Sequence, residues 1–283
     1  MKSYKIRKLK SSIIDKDFSF LFSYEDAFKT ALMKPAKLFF LDKIPLFLYD
    51  EKKSFFRKKG GIYMDYEEIL KTISRWMEAY TPICKKDDSP LFQLEPPATE
   101  EEISAVEKQI NRRLPDSLRT FFLCHARYLK LTAYFSDDFS EKLPPAIHSL
   151  FSAFLELSLD DLPSLNESCQ ESIRVCLAEP EHPSAAQLQN VLPLTWVPCG
   201  DLLVFDYSQD AFDPPVLYLD FYAAEYHLCV LGHSFGDFLK RYTAVGLCGT
   251  EDSQMAPFLP NKTDGIQPDC LNAKLFRSFF FSE

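Results

Sequence analysis

The chain has 283 residues, 46% of them hydrophobic and 14% aromatic, a composition that excludes an intrinsically disordered protein and allows a sizeable core. Its 8 glycines are too few to favour phosphate-cradling loops or a doubly wound nucleotide fold. The formal net charge is −9, but residues 1–60 carry 15 Lys/Arg against 7 Asp/Glu, so this segment is near +8 and the remainder near −17. An acidic body is a poor nucleic-acid binder, because phosphate contacts need positive charge.

The acidity of the body has two interpretations: it keeps the protein soluble, or it complements a basic protein partner and speeds their encounter. The 8 cysteines show no C-x-x-C spacing and several lie in apolar runs, so we expect buried free thiols in a reducing cytosol rather than disulfides. No run approaches 18 apolar residues, and Asp15 and Asp17 interrupt any secretory signal. The prediction is a cytoplasmic protein without a membrane span.

Three parts are predicted along the chain: a basic, Phe-rich extension at residues 1–65, a domain at 66–245 and a C-terminal arm at 246–283. The extension is predicted to contain a helix near Tyr24–Met33 and a hairpin within residues 37–49. The domain begins with a helix, because apolar residues recur at helical spacing on one face of the segment that follows Tyr66. These residues are Ile69, Ile73, Trp76 and Met77.

Residues 97–123 are predicted to form two short helices joined by a Leu-Pro elbow. Thr99 and Glu102 fit a capping box at the start of the first helix, and Pro115 fits the first position of the second. Apolar residues at helical spacing give each helix one buried face. No catalytic group lies in this unit, which is typical of a scaffold.

Residues 125–190 are harder to assign: 147–158 and 167–177 are predicted as helices, and 179–190 as a surface loop. The pattern then changes to short runs of β-branched and aromatic residues separated by turn residues, which predicts a meander of about four strands. The runs are Leu192–Trp196, Leu202–Tyr207, Val216–Phe221 and Tyr226–Leu231. A last helix is predicted at Phe235–Tyr242.

The segment Gly232-His233-Ser234-Phe235-Gly236 matches G-x-S-x-G, the nucleophile elbow of α/β-hydrolases, and lies between a predicted strand and a predicted helix. In those enzymes the catalytic histidine follows the serine, whereas all five histidines here precede Ser234. The competing interpretation makes Ser234 the N-cap of the last helix, with Asp237 at N3 and Gly236 incidental. The sequence favours the cap, and a serine hydrolase is a remote alternative.

A cysteine nucleophile is conceivable at Cys124-His125 or, better, at Cys229 with His227, since positions 227 and 229 share a face of a strand. A core cysteine beside a half-buried histidine explains both pairs more simply. Two such ligands are also too few for a structural zinc site. No catalytic, metal-binding or cofactor-binding residue is therefore predicted.

Adjacent aspartates occur at Asp87/Asp88, Asp137/Asp138 and Asp160/Asp161. Such pairs can act as general acid and base, but adjacent carboxylates on exposed turns are usually just solvated. On an acidic protein that binds a partner they are candidate contacts. The predicted partner-binding residues are Asp137, Asp138, Asp160 and Asp161.

Two blocks together resemble the SUKH superfamily, the fold shared by fungal cell-wall assembly regulators and bacterial toxin-immunity proteins. The first block, residues 97–123, carries the acid-rich cap, a helix, the Leu-Pro-acid elbow and a second helix. The second block, residues 192–239, ends in the Ser-Phe-x-x-Phe-Leu helix at Ser234–Leu239. The chain departs from the family where Cys124-His125-Ala126-Arg127 replaces an Asn-Gly-Gly and where the middle insertion is long.

The resemblance implies an α+β fold with an antiparallel or mixed sheet of about four to six strands and helices packed on one side. It also implies a non-catalytic domain that binds a protein and uses no cofactor. The favoured function is an immunity protein that neutralises a cognate toxin, with a basic toxin domain as partner of the acidic body. The alternative is an intracellular scaffold or regulator of cell-wall assembly, and the oligomeric state is left open.

Overall fold

The computed structural model describes residues 64–85, 90–176, 185–221, 225–249 and 251–281. They all belong to the larger of two compact units, Asp42–Glu283. The helix predicted near Tyr24–Met33, the hairpin within 37–49 and the Asp87/Asp88 pair lie outside the described residues. The domain boundaries predicted at residues 65 and 245 stay predictions.

The described residues form an α+β domain, which confirms the predicted fold class. The helices are α1 (Tyr66–Tyr80), α2 (Glu100–Gln109), α3 (Asp116–Cys124), α4 (Asp137–Ser140), α5 (Leu162–Cys176), α6 (Ala185–Leu188), α7 (Phe235–Ala244), α8 (Asp252–Met255) and α9 (Leu271–Ser278). The strands are β1 (Leu91–Leu94), β2 (Tyr128–Tyr134), β3 (Ser152–Ser158), β4 (Val191–Trp196), β5 (Leu202–Asp206), β6 (Val216–Leu219) and β7 (Val230–Gly232). None of the helices in this part of the chain is long and apolar enough to cross a membrane.

A three-stranded antiparallel sheet has the order β1-β2-β3. β2 and β3 pair along their full lengths, residues 128–134 against 152–158. The helix predicted at residues 147–158 is therefore wrong, because most of that segment is β3. Its apolar residues fit a period of two as well as a helical one, and pairing with β2 decides between them. The core residues that alternate along β3 are Ala153, Leu155 and Leu157.

A second, four-stranded antiparallel sheet is the predicted meander, with the order β4-β5-β6-β7. Its last strand is shorter than predicted, since residues 225–228 form turns and β7 begins only at Val230. Leu228 has a φ of 57°, a left-handed conformation that an extended strand does not accommodate.

Both faces of the second sheet are buried. On β5, Leu203 and Phe205 face the main core, whereas Leu202 and Val204 face a smaller apolar cluster. The smaller cluster contains Cys169 of α5, which packs along β4 on this side. The helix α5 therefore adds a layer opposite the main core, beyond the predicted arrangement of helices on one side.

The main core joins α1 to the end of the described chain. Trp76 of α1 stacks on Phe276 of α9 with 6.0 Å between ring centroids, and Phe281 lies edge-on to Trp76 at 4.7 Å. Arg277 donates hydrogen bonds to the carbonyl oxygens of Ala244 and Pro268 at 2.9 and 2.8 Å. Phe276 and Phe281, which lie after residue 245, thus pack onto α1.

The two-helix unit predicted at residues 97–123 is confirmed as α2 and α3, with its capping box. The Thr99 hydroxyl accepts a hydrogen bond from the Glu102 N–H at 3.2 Å, and the Glu102 carboxylate accepts one from the Thr99 N–H at 2.8 Å. Pro115 is the N-cap of α3 rather than its first helical residue, and it supplies no side-chain cap. The free N–H groups at the start of α3 therefore need acceptors from elsewhere.

One such acceptor is Asp213, which binds Ser117 in the first turn of α3. The hydrogen bonds of Ser117 connect four elements. Its N–H and hydroxyl both donate to the carboxylate of Asp213, in the β5–β6 loop, at 3.2 and 2.5 Å. Its carbonyl oxygen accepts from the Tyr66 hydroxyl of α1 at 2.9 Å, and its hydroxyl oxygen accepts from the Gly236 N–H of α7 at 3.3 Å. These bonds fix the elbow against the helices beneath it.

Candidate partner-binding surface

Ser234 is the N-cap of α7, as predicted. Its hydroxyl oxygen accepts a hydrogen bond from the Asp237 N–H at 3.1 Å. The Asp237 carboxylate in turn accepts from the His233 N–H at 2.9 Å and from the Arg241 guanidinium at 2.8 Å. Among the described residues, no hydrogen bond joins Ser234 to an imidazole or a carboxylate. The hydroxyl is used to cap a helix.

Close packing requires a glycine at position 232, whereas Gly236 has tight contacts only with side chains. A Cβ on Gly232 would lie 2.4 Å from backbone atoms of Phe238, a contact that cannot form without a backbone shift. A Cβ on Gly236 would lie 3.0 Å from Met64 and 3.1 Å from the Tyr66 hydroxyl. The first glycine of the G-x-S-x-G match is therefore explained by how closely β7 approaches α7.

The residues of the two conceivable cysteine–histidine pairs are explained by burial, ring packing and hydrogen bonding. Cys229 and His227 precede β7 and do not share a strand, which corrects that expectation, and burial raises the pKa of the Cys229 thiol. The Nδ1 atom of His227 lies 2.7 Å from the carbonyl oxygen of Asp220, and the His125 ring packs 5.2 Å from the ring of Tyr66. In the ranges that the structure describes, no group of three or more His, Cys, Asp or Glu could hold a metal ion.

The four predicted partner-binding aspartates lie in two separate places. Asp137 and Asp138 open α4, just after β2, whereas Asp160 and Asp161 follow the end of β3. Because β2 and β3 are antiparallel, the two pairs flank opposite ends of their ladder, about 20 Å apart for strands of this length. Asp137 lies 4.0 Å from the Lys85 ammonium and its side chain is 91% exposed. The structure does not bring the two pairs together.

Asp160 and Asp161 belong to a larger group of carboxylates, which we name the acidic surface. It consists of Glu95, Glu100, Glu101, Glu102, Asp160 and Asp161. All are exposed except Glu102, which is half-buried. Arg127 connects the group, since its guanidinium donates to Glu102 at 2.9 Å and to both carboxylate oxygens of Asp160 at 2.7 and 2.8 Å. This arginine ties the N-terminus of α2 to the turn between β3 and α5.

The electrostatics at the centre of the acidic surface favour the charged forms of Glu102 and Arg127. The hydrogen bond from the Thr99 N–H, together with Arg127, lowers the pKa of Glu102 below its ordinary value. The bond to Asp160 raises the pKa of Arg127. Arg119 pairs with Glu100 and also lies 3.3 Å from Glu107, outside the group. Two arginines against six carboxylates leave this surface negative.

Residues 97–241 match the SMI1 / KNR4 family (SUKH-1), more than half of the 283 residues. The chain belongs to this family. The SUKH-1 match begins just before α2 and ends within α7, so it contains both blocks of the resemblance and all of the acidic surface except Glu95. SUKH-1 domains bind other proteins, and immunity proteins are among them. No curated protein matches the chain.

Sequence reasoning found one part of the acidic surface of this SUKH-1 domain and missed another. Asp160 and Asp161 were predicted as contacts, whereas Glu100–Glu102 were considered only as the acid-rich cap of a helix, with Glu102 in its capping box. Three consecutive glutamates were the available signal. Arg127, which joins the two parts, bonds to residues 25 and 33 positions away, a separation that no local pattern reveals.

Proposed function

We propose that this SUKH-1 domain is an immunity protein that binds and neutralises a cognate toxin domain. The observation that carries the proposal is the acidic surface, six carboxylates with two arginines, on a body near −17 outside residues 1–60. A toxin that acts on nucleic acid needs a basic surface to hold phosphates. An acidic surface of matching size can cover that region and exclude the substrate.

The exposure of these carboxylates determines what they would contribute to binding of the toxin. Exposed charges at the rim of an interface act mainly through the association rate and through selection of the partner. Their effect is screened within about 8 Å at physiological ionic strength. We therefore expect the rate of association with the toxin domain to fall as salt is added.

We further infer that the domain works without catalysis and in the cytoplasm. The capping role of Ser234 supports the first inference, because a hydroxyl without a general base is a weak nucleophile. The second follows from the proposed task, since an antidote has to meet the toxin inside the cell that makes it. Turnover of p-nitrophenyl esters that disappears in Ser234→Ala would contradict the absence of catalysis.

The immunity function predicts that the neighbouring reading frame encodes a secreted protein with a toxin-like C-terminal domain, and that domain is the probe. Co-expression of this chain is expected to restore growth to cells that produce the domain. The purified proteins are expected to form a complex whose association rate falls with rising salt. Failure to protect the cells and failure to bind would contradict the proposal, and recovery of several unrelated endogenous partners would favour a scaffold.

A matched pair of charge reversals locates the contact. Asp161→Lys, in the acidic surface, is expected to slow association several-fold at low salt, because it removes one favourable charge and adds a repulsive one. Asp138→Lys, at the opposite end of the β2–β3 ladder, is the comparison and is expected to leave the rate nearly unchanged. The reverse result would place the contact at α4 instead.

A further inference from the structure

Tyr128 opens β2 at the border of the acidic surface. Its side chain lies on the face of the three-stranded sheet opposite the main core, since the next residue, Leu129, is the one that enters the core. On β1, Leu94 pairs with Leu129, and the Glu95 N–H donates to the Tyr128 carbonyl oxygen at 3.0 Å. Opposite residues of an antiparallel pair share a face, so the Glu95 side chain is a neighbour of the Tyr128 ring.

Asp161 lies on the other side of Tyr128. Ser158 is the partner of Tyr128 on β3, and its hydroxyl oxygen accepts from the Asp161 N–H at 3.3 Å. The Asp161 carbonyl oxygen accepts from the Ser164 hydroxyl and from the Leu165 N–H, both at 2.9 Å, at the start of α5. The backbone that carries Asp161 is thus ordered before a partner binds, which lowers the entropy lost on binding.

The Tyr128 ring is half-buried and held in place by its hydroxyl. The hydroxyl donates to the Glu156 carboxylate at 2.7 Å, and that carboxylate also lies 2.9 Å from the Lys130 ammonium. Burial raises the pKa of the hydroxyl, and so do the charges of Glu156, Asp161 and Glu95. These three carboxylates therefore lie close enough to the hydroxyl to act on it.

The charge around the ring is negative. Glu156 is balanced by Lys130, whereas the carboxylates of Glu95 and Asp161 have no hydrogen bond or ion pair with the part of the chain that the structure describes. Arg127, the residue before the tyrosine, is shared between two other carboxylates of the acidic surface and neutralises neither Glu95 nor Asp161. The ring therefore has an uncompensated carboxylate on each side.

An aromatic ring between two carboxylates suits the head group of a basic side chain. A guanidinium or ammonium group is attracted to the face of a tyrosine ring within about 6 Å of its centre. The same group can donate charge-assisted hydrogen bonds to carboxylates beside the ring. Tyrosine and arginine are also among the residues that contribute most to binding at protein interfaces.

We propose that Tyr128, Glu95 and Asp161 bind one arginine or lysine side chain of the toxin domain, which lies against the ring between the two carboxylates. The inference rests on the proposed immunity function. It adds the place where a basic residue of the toxin is held, whereas the acidic surface as a whole determines the rate of encounter.

The test is isothermal calorimetry with the toxin-like C-terminal domain as the probe. Tyr128→Leu keeps an apolar side chain but removes the ring, and it is expected to weaken binding about 10-fold. Tyr128→Phe keeps the ring and removes only the hydroxyl, so its loss is expected to be much smaller. Equal losses in the two variants would show that the hydroxyl is what matters and would overturn the inference.

A double-mutant cycle shows whether Tyr128 and Glu95 bind the same side chain. Residues that share a partner group are coupled, so Tyr128→Leu combined with Glu95→Gln is expected to lose clearly less affinity than the product of the two single losses. Glu101→Gln is the matched control, because it removes an exposed carboxylate of the acidic surface from α2 instead. Its loss is expected to multiply with that of Tyr128→Leu. Absence of coupling to Glu95, or equal coupling to Glu101, would overturn the inference.

Urea denaturation separates a loss of affinity from a loss of fold. Glu95→Gln and Asp161→Asn change exposed carboxylates, so their midpoints are expected to match the wild type even if Tyr128→Leu is less stable. If the wild type binds and none of these three variants binds more weakly, the inference is overturned while the immunity function stands. If the wild type itself does not bind the probe, the immunity proposal fails and this inference fails with it.

Discussion

At the residue scale, Glu102 has two structural tasks in the acidic surface. It closes the capping box by accepting the Thr99 N–H, and it accepts a hydrogen bond from the Arg127 guanidinium. Both bonds favour the charged carboxylate, and they lower the pKa of Glu102 in the native state. The same carboxylate thus stabilises the start of α2 and accepts one of the hydrogen bonds by which Arg127 connects α2 to the turn after β3.

Glu102→Gln is expected to lower the free energy of unfolding at neutral pH and to make it less dependent on pH. A carboxyl whose native pKa is depressed stabilises the fold above its unfolded value, near 4.3, and loses that contribution as pH falls through the lower native value. The difference between wild type and variant should therefore be largest at neutral pH and shrink below about pH 4. Urea denaturation across this pH range measures it.

Glu101→Gln is the matched control for that measurement. Glu101 is the adjacent residue in the same turn of α2 and is exposed. Its carboxylate has no hydrogen bond to the described residues, so Glu101→Gln is expected to lower the free energy of unfolding at neutral pH much less than Glu102→Gln does. A difference for Glu102→Gln that does not change with pH would contradict the assignment.

At the scale of elements, the β5–β6 loop acts as the N-terminal cap of α3. Pro115 has no side-chain oxygen to offer, and the loop supplies two acceptors: the Phe212 carbonyl for Asp116 and the Asp213 carboxylate for Ser117. Burial raises the pKa of Asp213, which reflects how far the loop inserts this side chain between the elements. The loop and the helix elbow are therefore one structural unit.

Asp213→Ala is expected to lower the free energy of unfolding by about 1–2 kcal/mol, the usual cost of losing an N-cap side chain. Asp213→Asn keeps an oxygen acceptor and is expected to retain most of that stability. Asp138→Ala, an exposed aspartate in the first turn of α4, serves as a comparison and should change little. A loss in Asp213→Asn as large as that in Asp213→Ala would show that charge, rather than capping, is what the loop provides.

The elements that the sequence predicted are those with a local signal. The caps at Thr99 and Ser234 and the apolar spacing of α1 predicted three helices, and turn residues between short aromatic runs predicted the meander. β1 and β2 were not predicted, although Leu129, Leu131 and Ala133 alternate along β2. A seven-residue segment whose only signal is alternation can also be assigned to a helix. Only its pairing with distant strands decides between the two assignments.

The residues of the acidic surface follow the same division. Asp160 and Asp161 were predicted because adjacent carboxylates are visible in the sequence, but their connection to Glu102 through Arg127 depends on the fold. The bond between Ser117 and Asp213 joins residues 96 positions apart, which no local pattern reveals either.

At the scale of the whole molecule, the core extends beyond the SUKH-1 match. α1 and α9 lie outside residues 97–241, yet Trp76 and Phe276 are fully buried in the same core as the central helices. Tyr80 of α1 donates a hydrogen bond to the carbonyl oxygen of Gly246, which also follows the match. We therefore expect residues 97–241 to need both flanking segments in order to fold.

Phe276→Ala is expected to lower the free energy of unfolding by about 3–5 kcal/mol, the usual cost of truncating a fully buried phenylalanine. Phe279→Ala is the matched control, because Phe279 is the C-cap of the same helix but 41% exposed, and its cost should be well under half as large. Urea unfolding followed by tryptophan fluorescence reports both, since Trp76 stacks on Phe276. Equal losses would contradict the role of α9 in the core.

The placement of β5 has a consequence for the dynamics of the domain. The strand is central in its sheet, with β4 and β6 as hydrogen-bonded neighbours, and apolar layers cover its two faces. Its amide hydrogens are released to solvent only when the sheet opens as a whole. They should be the slowest in the protein to exchange with deuterium, and their rate would report the global unfolding equilibrium directly.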